Sequence, residues 1–372
     1  MVRRLADLLA EKGHDVELFK KESSAIAKMP FGKVRAFFEG IYSVSSRKEI
    51  RARLAEFKPD IVQIQNLYPL ISPSVLPEIK KYSVPIVMRC ANYRLVCPNG
   101  LCMIGGKICE KCKGGNDYWC IFKNCEGSFL KSLGYAFRNL LASRTGLFRK
   151  NVTIYYTQTN FQKEVLAEAG FPRERIFIIP NMCNEVEMRN NALKGGYVAY
   201  SGRISHEKGI STFLDAAAKC SWIDFRIAGK ANPKLVLKNP VPANVKFMGY
   251  LEAEQLEAFY SGCRFLVVPS ICYEGFPSVI IEAMYYGKPI ICSNVGGLSE
   301  IVEDKINGLL FRAQDPKDLA DKIRFLWENE ELSGRIGKVN REKVADNYSR
   351  QKYYERLMLL YQEAIRLKNK NG

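Results

Sequence analysis

The chain alternates short apolar runs with amphipathic stretches, and it does so twice, on either side of a polar segment. In the first half, Pro59–Gln65, Pro85–Met88, Val152–Thr157 and Arg175–Pro180 read as strands, with helices at Ser74–Tyr82 and Phe161–Ala169. In the second half, Tyr197–Tyr200, Asp224–Ala228, Val245–Met248, Phe265–Pro269 and Pro289–Cys292 read as strands. Helices at Ile210–Lys219, Glu252–Tyr260 and Ser278–Tyr286 lie between them. Strands alternating with helices predict parallel sheets covered by helices on both faces. The segment Asn184–Gly196 is polar, ends in Gly-Gly and is expected to link two domains. The expected boundaries are 1–185 and 186–349, with a tail helix at 350–369 that packs back on the first domain. A chain of 372 residues is of ordinary size for two such cores. The N-terminus reads as an amphipathic helix over 2–12, followed by an alternating strand at Asp15–Phe19.

Charge narrows the partners. The formal charge is +17 at pH 7, which favours anionic ligands over a merely solvated basic surface. Nucleic acid is excluded as an expectation, because neither an aromatic-interleaved RNA-binding motif nor a two-Cys two-His finger is present. No apolar run is long enough to span a bilayer and the start lacks a secretory pattern, so a cytoplasmic location is expected.

Two regions of the second half carry chemistry. Glu274-Gly275-Phe276-Pro277-Ser278 follows a strand and opens a helix, and Glu282 comes eight residues after Glu274 on that helix. Loops at the C-terminal ends of parallel strands are where open α/β sheets bind ligands. Two carboxylates there suit hydroxyls of a sugar and a ribose, and the helix N-terminus between them suits a phosphate. Earlier, Ser201-Gly202-Arg203-Ile204-Ser205-His206-Glu207-Lys208-Gly209 follows the first strand of the same half. Gly202 permits close backbone approach, and Arg203 with Lys208 supplies two cations for a diphosphate. A solvated basic turn is the lesser alternative for this stretch alone; its placement in the same sheet as Glu274 and Glu282 weakens that alternative further.

These motifs, with Ile227-Ala228-Gly229, Phe247-Met248-Gly249-Tyr250, Gly296-Gly297-Leu298-Ser299-Glu300 and Asn307-Gly308-Leu309-Leu310, resemble the donor domain of family 4 retaining glycosyltransferases. In the first half, Arg94-Leu95-Val96-Cys97-Pro98-Asn99-Gly100 and Ile178-Ile179-Pro180-Asn181 extend the resemblance over nearly the whole chain. The resemblance implies the GT-B fold: two Rossmann-like, doubly wound domains facing a cleft. It implies transfer of a sugar from a UDP- or GDP-linked donor to a glycan or lipid-linked acceptor. Arg203, Lys208 and Glu274 would be the catalytic residues, the cations holding the diphosphate and Glu274 the sugar hydroxyls. Gly202, Gly275, Phe276, Pro277 and Ser278 would line the phosphates, Glu282 would bind the ribose, and backbone near Met248 and Tyr250 the base. The family needs no metal for transfer.

The first half departs from the family at three places. The chain begins inside a helix that relatives precede with a strand and a Gly-rich loop. Gln63-Ile64-Gln65-Asn66 stands where relatives often have His-x-His-Asn, and Ala91 stands where they usually have a His beside Asn-Tyr-Arg. A catalytically impaired nucleotide-sugar-binding or scaffold protein of the same fold is therefore the alternative function.

Two features fall outside the motifs. Seven of the twelve cysteines crowd between Cys90 and Cys125, within an irregular stretch at 97–127 that reads as an insertion. The Cys109-x2-Cys112 knuckle with Cys97 and Cys125, and Cys120 as a substitute, is one ligand set for a structural zinc; a buried reduced cluster or a stress-induced disulfide is the other reading. Phe129–Lys150 reads as a basic amphipathic helix, either lying on an anionic membrane as a peripheral contact or packed in the core with a basic outer face.

Overall fold

The computed structural model describes residues 2–22, 32–183, 195–232, 235, 237 and 239–370. The chain divides into two compact units: Met1–Cys102 with Cys109–Ile179 and Tyr354–Gly372, and Met103–Ile108 with Pro180–Tyr353. Of the expected linker, Asn184–Gly196, residues 184–194 lie outside the described residues.

The first unit is built on four parallel strands, β1 (Val62–Ile64), β2 (Ile86–Arg89), β5 (Ile154–Thr157) and β6 (Ile176–Ile178), in the order β1-β2-β5-β6. Between β2 and β5 the chain forms a two-stranded hairpin, β3 (Met103–Ile104) with β4 (Lys107–Ile108), then short helical turns and the helix Phe129–Arg144. The helix Val2–Glu11 forms as expected and buries Leu5 and Leu8. The expected strand at Asp15–Phe19 does not form: Asp15–Leu18 are exposed and no described strand pairs with the segment, so its alternation finds no ladder. The single helix expected over Phe129–Lys150 breaks in two, because Gly146 adopts a left-handed conformation (φ 68°) and a second helix, Leu147–Asn151, starts there.

The second unit, to which the β3–β4 hairpin also belongs, is built on a six-stranded sheet: β7 (Tyr197–Ser201), β8 (Phe225–Ala228), β9 (Val245–Gly249), β10 (Cys263–Val268), β11 (Ile290–Ser293) and β12 (Gly308–Phe311). All five pairings are parallel, in the order β12-β11-β10-β7-β8-β9. The central strands are buried on both faces, which is why they read as continuous apolar runs. Alternate side chains separate into two cores. Val198, Tyr200, Phe265 and Val267 pack with Phe213 and Ile323 on one side. Tyr197, Ala199, Leu266 and Val268 pack with Ile280, Ile281 and Met284 on the other. Helices Ile210–Ala218 and Pro316–Glu328 serve the first face, and Ser278–Tyr285 serves the second. Local chemistry fixes the ends: the Asp315 carboxylate accepts from the amides of Lys317 and Asp318 and starts the helix at Pro316.

The chain runs outward from β7 through β8 and β9, then returns to lay β10 on the other side of β7. The reversal sits between β7 and β10, and the backbones close tightly both there and between the ends of β7 and β8. A Cβ on Gly209 (φ 71°) would stand 1.8 Å from the carbonyl oxygen of Pro269. A Cβ on Gly229 (φ 149°) would stand 1.8 Å from the carbonyl oxygen of Gly202. Among the described residues, no helix is long and apolar enough to cross a membrane.

Gly229→Ala is expected to destabilise the second unit by about 2 kcal/mol or more, since both the conformation and the contact oppose a side chain and the contact is backbone. Thermal unfolding checks this: the expected result is a midpoint lowered by several degrees, and an unchanged midpoint would contradict the packing described here.

Candidate functional site at the sheet reversal

After β7, Gly202 donates its amide to the Ala228 carbonyl (3.0 Å) and turns the chain at φ 138°. A 3-10 turn, His206–Lys208, follows and ends at Gly209. The Ile271 amide, just past β10, donates to the Glu207 carbonyl (3.0 Å), so the loops after β7 and β10 are tied together. That tie sets the side chains. The Lys208 ammonium donates to Oε1 of Glu274, and the Ser270 hydroxyl donates to the same oxygen at 2.6 Å. The two paired side chains are 23% and 12% exposed, so water screens them little. Ser270 is itself anchored, its carbonyl accepting from the Ser293 hydroxyl at the end of β11. Loop charges also act on their neighbours. Burial, then the charges of Glu274 and Glu207, pushes the Tyr200 phenol up, and burial with Glu274 pushes the Cys272 thiol up to about 12.

Glu282 lies in the helix Ser278–Tyr285 and accepts from the Tyr260 hydroxyl at 3.0 Å. Tyr260 also meets the Ser201 hydroxyl at 3.1 Å and stacks on Tyr286 with ring centroids 5.9 Å apart. Glu282 is thus connected, through one buried phenol, to the end of β7. Burial foremost, then the Glu282 charge, raises the Tyr260 pKa well above its ordinary value, so it stays a donor. Pro277 precedes the helix and no side chain caps its N-terminus. Gly275 and Phe276 are buried beside it, and the Phe276 carbonyl accepts from Asn181 Nδ2 (2.8 Å).

Not every expected residue meets the others. Arg203 is exposed, with a side-chain exposure of 64%, and its guanidinium lies 3.3 Å from Glu207 Oε1. Met248 and Tyr250 lie at the end of β9, the edge strand, both exposed, with the Lys230 ammonium 4.4 Å from the Tyr250 ring centre. Sequence reasoning missed Tyr260, Ser270 and Glu207, which position Glu282, Glu274 and Arg203. Ser270 and Glu274 are four residues apart on one loop, a signal that was available. Nothing in the sequence pairs Tyr260 with Glu282, twenty-two residues away.

The cysteine segment assembles differently from the expected zinc set. The Cys97 thiol meets those of Cys102 and Cys112, and Cys120 meets Cys125. Sharing hydrogen bonds with Cys102 and Cys112 holds the Cys97 thiol far below the ordinary range and pushes its two partners up. Cys109 contributes its backbone amide, which donates to the Cys102 carbonyl (2.8 Å). Among the described residues, no group of three or more His, Cys, Asp or Glu is arranged to hold a metal.

Lys208, Glu274, Glu282 and an uncapped helix N-terminus therefore lie at the C-terminal ends of β7 and β10, with the exposed Arg203 held nearby on Glu207. Such a set can neutralise an anion and accept hydrogen bonds from hydroxyls. Comparison with known proteins agrees with this fold. The sequence model of the family described as Glycosyl transferases group 1 matches residues 185–343. An uncharacterized 42.6 kDa protein in the cps region of Klebsiella pneumoniae is 25% identical over 377 residues, covering 93% of each chain. An uncharacterized glycosyltransferase of Methanocaldococcus jannaschii is 32% identical over 196 residues; the match covers 51% of this chain and 54%, about half, of the relative. Among solved structures, Anabaena HepE in complex with UDP superposes with a TM-score of 0.61 at 17% identity, over 96% of this chain and 88% of that one. Two parallel-sheet units and the superposition on HepE give this chain the GT-B fold, and over residues 185–343 its sequence is similar to the group 1 glycosyltransferases.

Proposed function

We propose that the chain transfers a sugar from a nucleotide diphosphate to a glycan or lipid-linked acceptor with retention of anomeric configuration, as family 4 enzymes do. The observation that carries this reading is the Lys208–Glu274 pair at the sheet reversal, beside the helix that holds Glu282. In the proposed complex, residues 186–349 hold the donor. Lys208 and Arg203 neutralise the diphosphate, and the backbone from Gly275 to Ser278, with Gly202, faces its oxygens. Glu274 takes hydroxyls of the sugar. Glu282, with one oxygen held by Tyr260, takes the ribose hydroxyls, and the edge near Met248 and Tyr250 takes the base.

The chemistry follows from those placements. The bond from the anomeric carbon to the diphosphate oxygen breaks, and its electron pair stays on the diphosphate. The acceptor oxygen forms the new bond on the same face and gives its proton to a phosphate oxygen. Negative charge grows on the leaving group as the bond breaks, so cations fixed beside it stabilise the transition state more than the ground state. No metal is required for these steps. UDP is the first nucleotide to test, since the HepE structure was solved with it.

Ala91 and Gln65 support a second reading, a binder of the same donor without turnover. Gln65 is engaged by the Arg89 guanidinium (3.3 Å) and is no proton carrier. Both readings share the donor site and differ only in transfer.

Calorimetric titration with UDP, GDP and their sugars tests the site. Arg203→Ala with Lys208→Ala is expected to abolish nucleotide binding; undiminished affinity would put the phosphate site elsewhere. Glu282→Ala should lose about 1.5–3 kcal/mol of affinity, roughly tenfold to hundredfold. Tyr260→Phe, which leaves the carboxylate in place and removes only its orienting donor, should lose less than Glu282→Ala. Equal losses would mean that Tyr260 contacts the ligand or that the fold has been disturbed, and circular dichroism separates the two. Donor hydrolysis or transfer by the purified chain would exclude the second reading.

A further inference from the structure

The helix Phe129–Arg144 lies with its polarity reversed. A helix in a water-soluble unit ordinarily buries its large apolar side chains and exposes its polar ones. Here Ser132, Gly134, Ala136, Arg138, Asn139 and Ala142 are buried. Leu130, Leu133, Phe137 and Leu141, spaced by three or four residues along one face, are exposed, with Phe129 beside them. Leu130 is 76% and Phe129 60% exposed, values more typical of lysine than of leucine or phenylalanine. The inner face is built for close contact. Gly134 admits the Phe37 ring, which would stand 2.5 Å from any Cβ there, and the Arg138 guanidinium lies 3.8 Å from the Tyr68 ring centre. Phe37 belongs to the neighbouring helix Gly32–Ile41, whose Phe38 is also exposed at 62%. Phe122, just before the reversed helix, is 78% exposed.

Basic side chains dominate around this face, with Glu126 close to Lys131 and Glu39 paired with Arg35 beside Phe38. From Gly127 to Lys163 the sequence contains no Asp or Glu. Lys131, Arg144, Arg149 and Lys150 are all exposed. An outward apolar stripe flanked mainly by basic side chains matches the boundary of an anionic bilayer, where apolar groups enter the acyl region and cations remain among the headgroups. A second copy of the chain is a poorer occupant, because a two-fold contact would bring the same cations face to face. The helix is too short and polar to cross the bilayer, so it would lie along it.

We propose that the outer face of Phe129–Arg144, with Phe122 and Phe38, docks the protein on the surface of an anionic lipid bilayer. The proposal does not depend on the donor site. It goes beyond the reading above by identifying the surface the protein works on.

The test is co-sedimentation of the full chain with phosphatidylglycerol–phosphatidylcholine vesicles and with phosphatidylcholine vesicles alone. Binding to the anionic vesicles is expected to be at least about tenfold tighter and to weaken with added salt. Leu130→Ser with Phe137→Ser should lower that binding roughly tenfold or more, and Lys131→Glu with Arg144→Glu should remove the preference for anionic lipid. These side chains are exposed, so the thermal midpoints and UDP titrations of the variants should match those of the unchanged protein. A chain that stays in the supernatant with anionic vesicles overturns the proposal, as does equal pelleting of the apolar variant. Concentration-dependent dimers in sedimentation velocity, lost in the apolar variant, would assign the face to a second copy and overturn it too.

Discussion

The reversal of strand order between β7 and β10 is the constraint on which the rest of the second unit depends. Parallel strands joined by right-handed crossovers leave two neighbouring loops pointing apart wherever the order reverses, and the gap between them is open at the C-terminal edge. In this chain the gap is narrowed by backbone rather than side chains. Gly209 lies against Pro269, and the Ile271 amide reaches the Glu207 carbonyl. Once those contacts exist, Lys208 and Glu274 have little choice but to meet, although sixty-six residues separate them.

Electrostatics then build on that frame. Lys208 and Glu274 form a partly buried pair that would be costly if either stood alone, so each holds the other in place. Glu282 is held differently, by a neutral phenol whose burial keeps its proton. The two carboxylates therefore sit in unlike settings: one pairs with a cation, and the other accepts a neutral donor. This difference suits the separate parts proposed for them at a single ligand.

The first unit shows what happens when small residues win the interior. Ser132, Gly134, Ala136 and Ala142 let the helix approach its neighbours closely, and that close approach turns the leucines and phenylalanines outward. The hydrophobic effect opposes such an arrangement in water, at about 25 cal/mol for each Å² left exposed. A surface that removes water from the stripe would recover that energy.

How much of this was legible beforehand differs from element to element. The strands at Tyr197, Phe225, Val245 and Ile290 were legible because apolar runs bounded by turn residues have few alternatives. The strand at Asp15–Phe19 was not, since alternation records what a segment could pair with and not whether a partner is there. Amphipathicity over 129–150 located a helix but not its break at Gly146, nor which face turned inward. Periodicity shows that a helix has two faces; packing against Phe37 and Tyr68 decides which one is buried. The cysteines show the same limit. Spacing suggested Cys109, while the fold brought Cys102 to Cys97. By itself the sequence determined the alternating α/β architecture, the loops that carry Arg203, Lys208 and Glu274, and the helix that carries Glu282, because these follow from local periodicity and turn chemistry. Only the tertiary structure decided that Lys208 would pair with Glu274, that Tyr260 would hold Glu282 and that an apolar stripe would face outward, because each depends on contacts between residues distant in the chain.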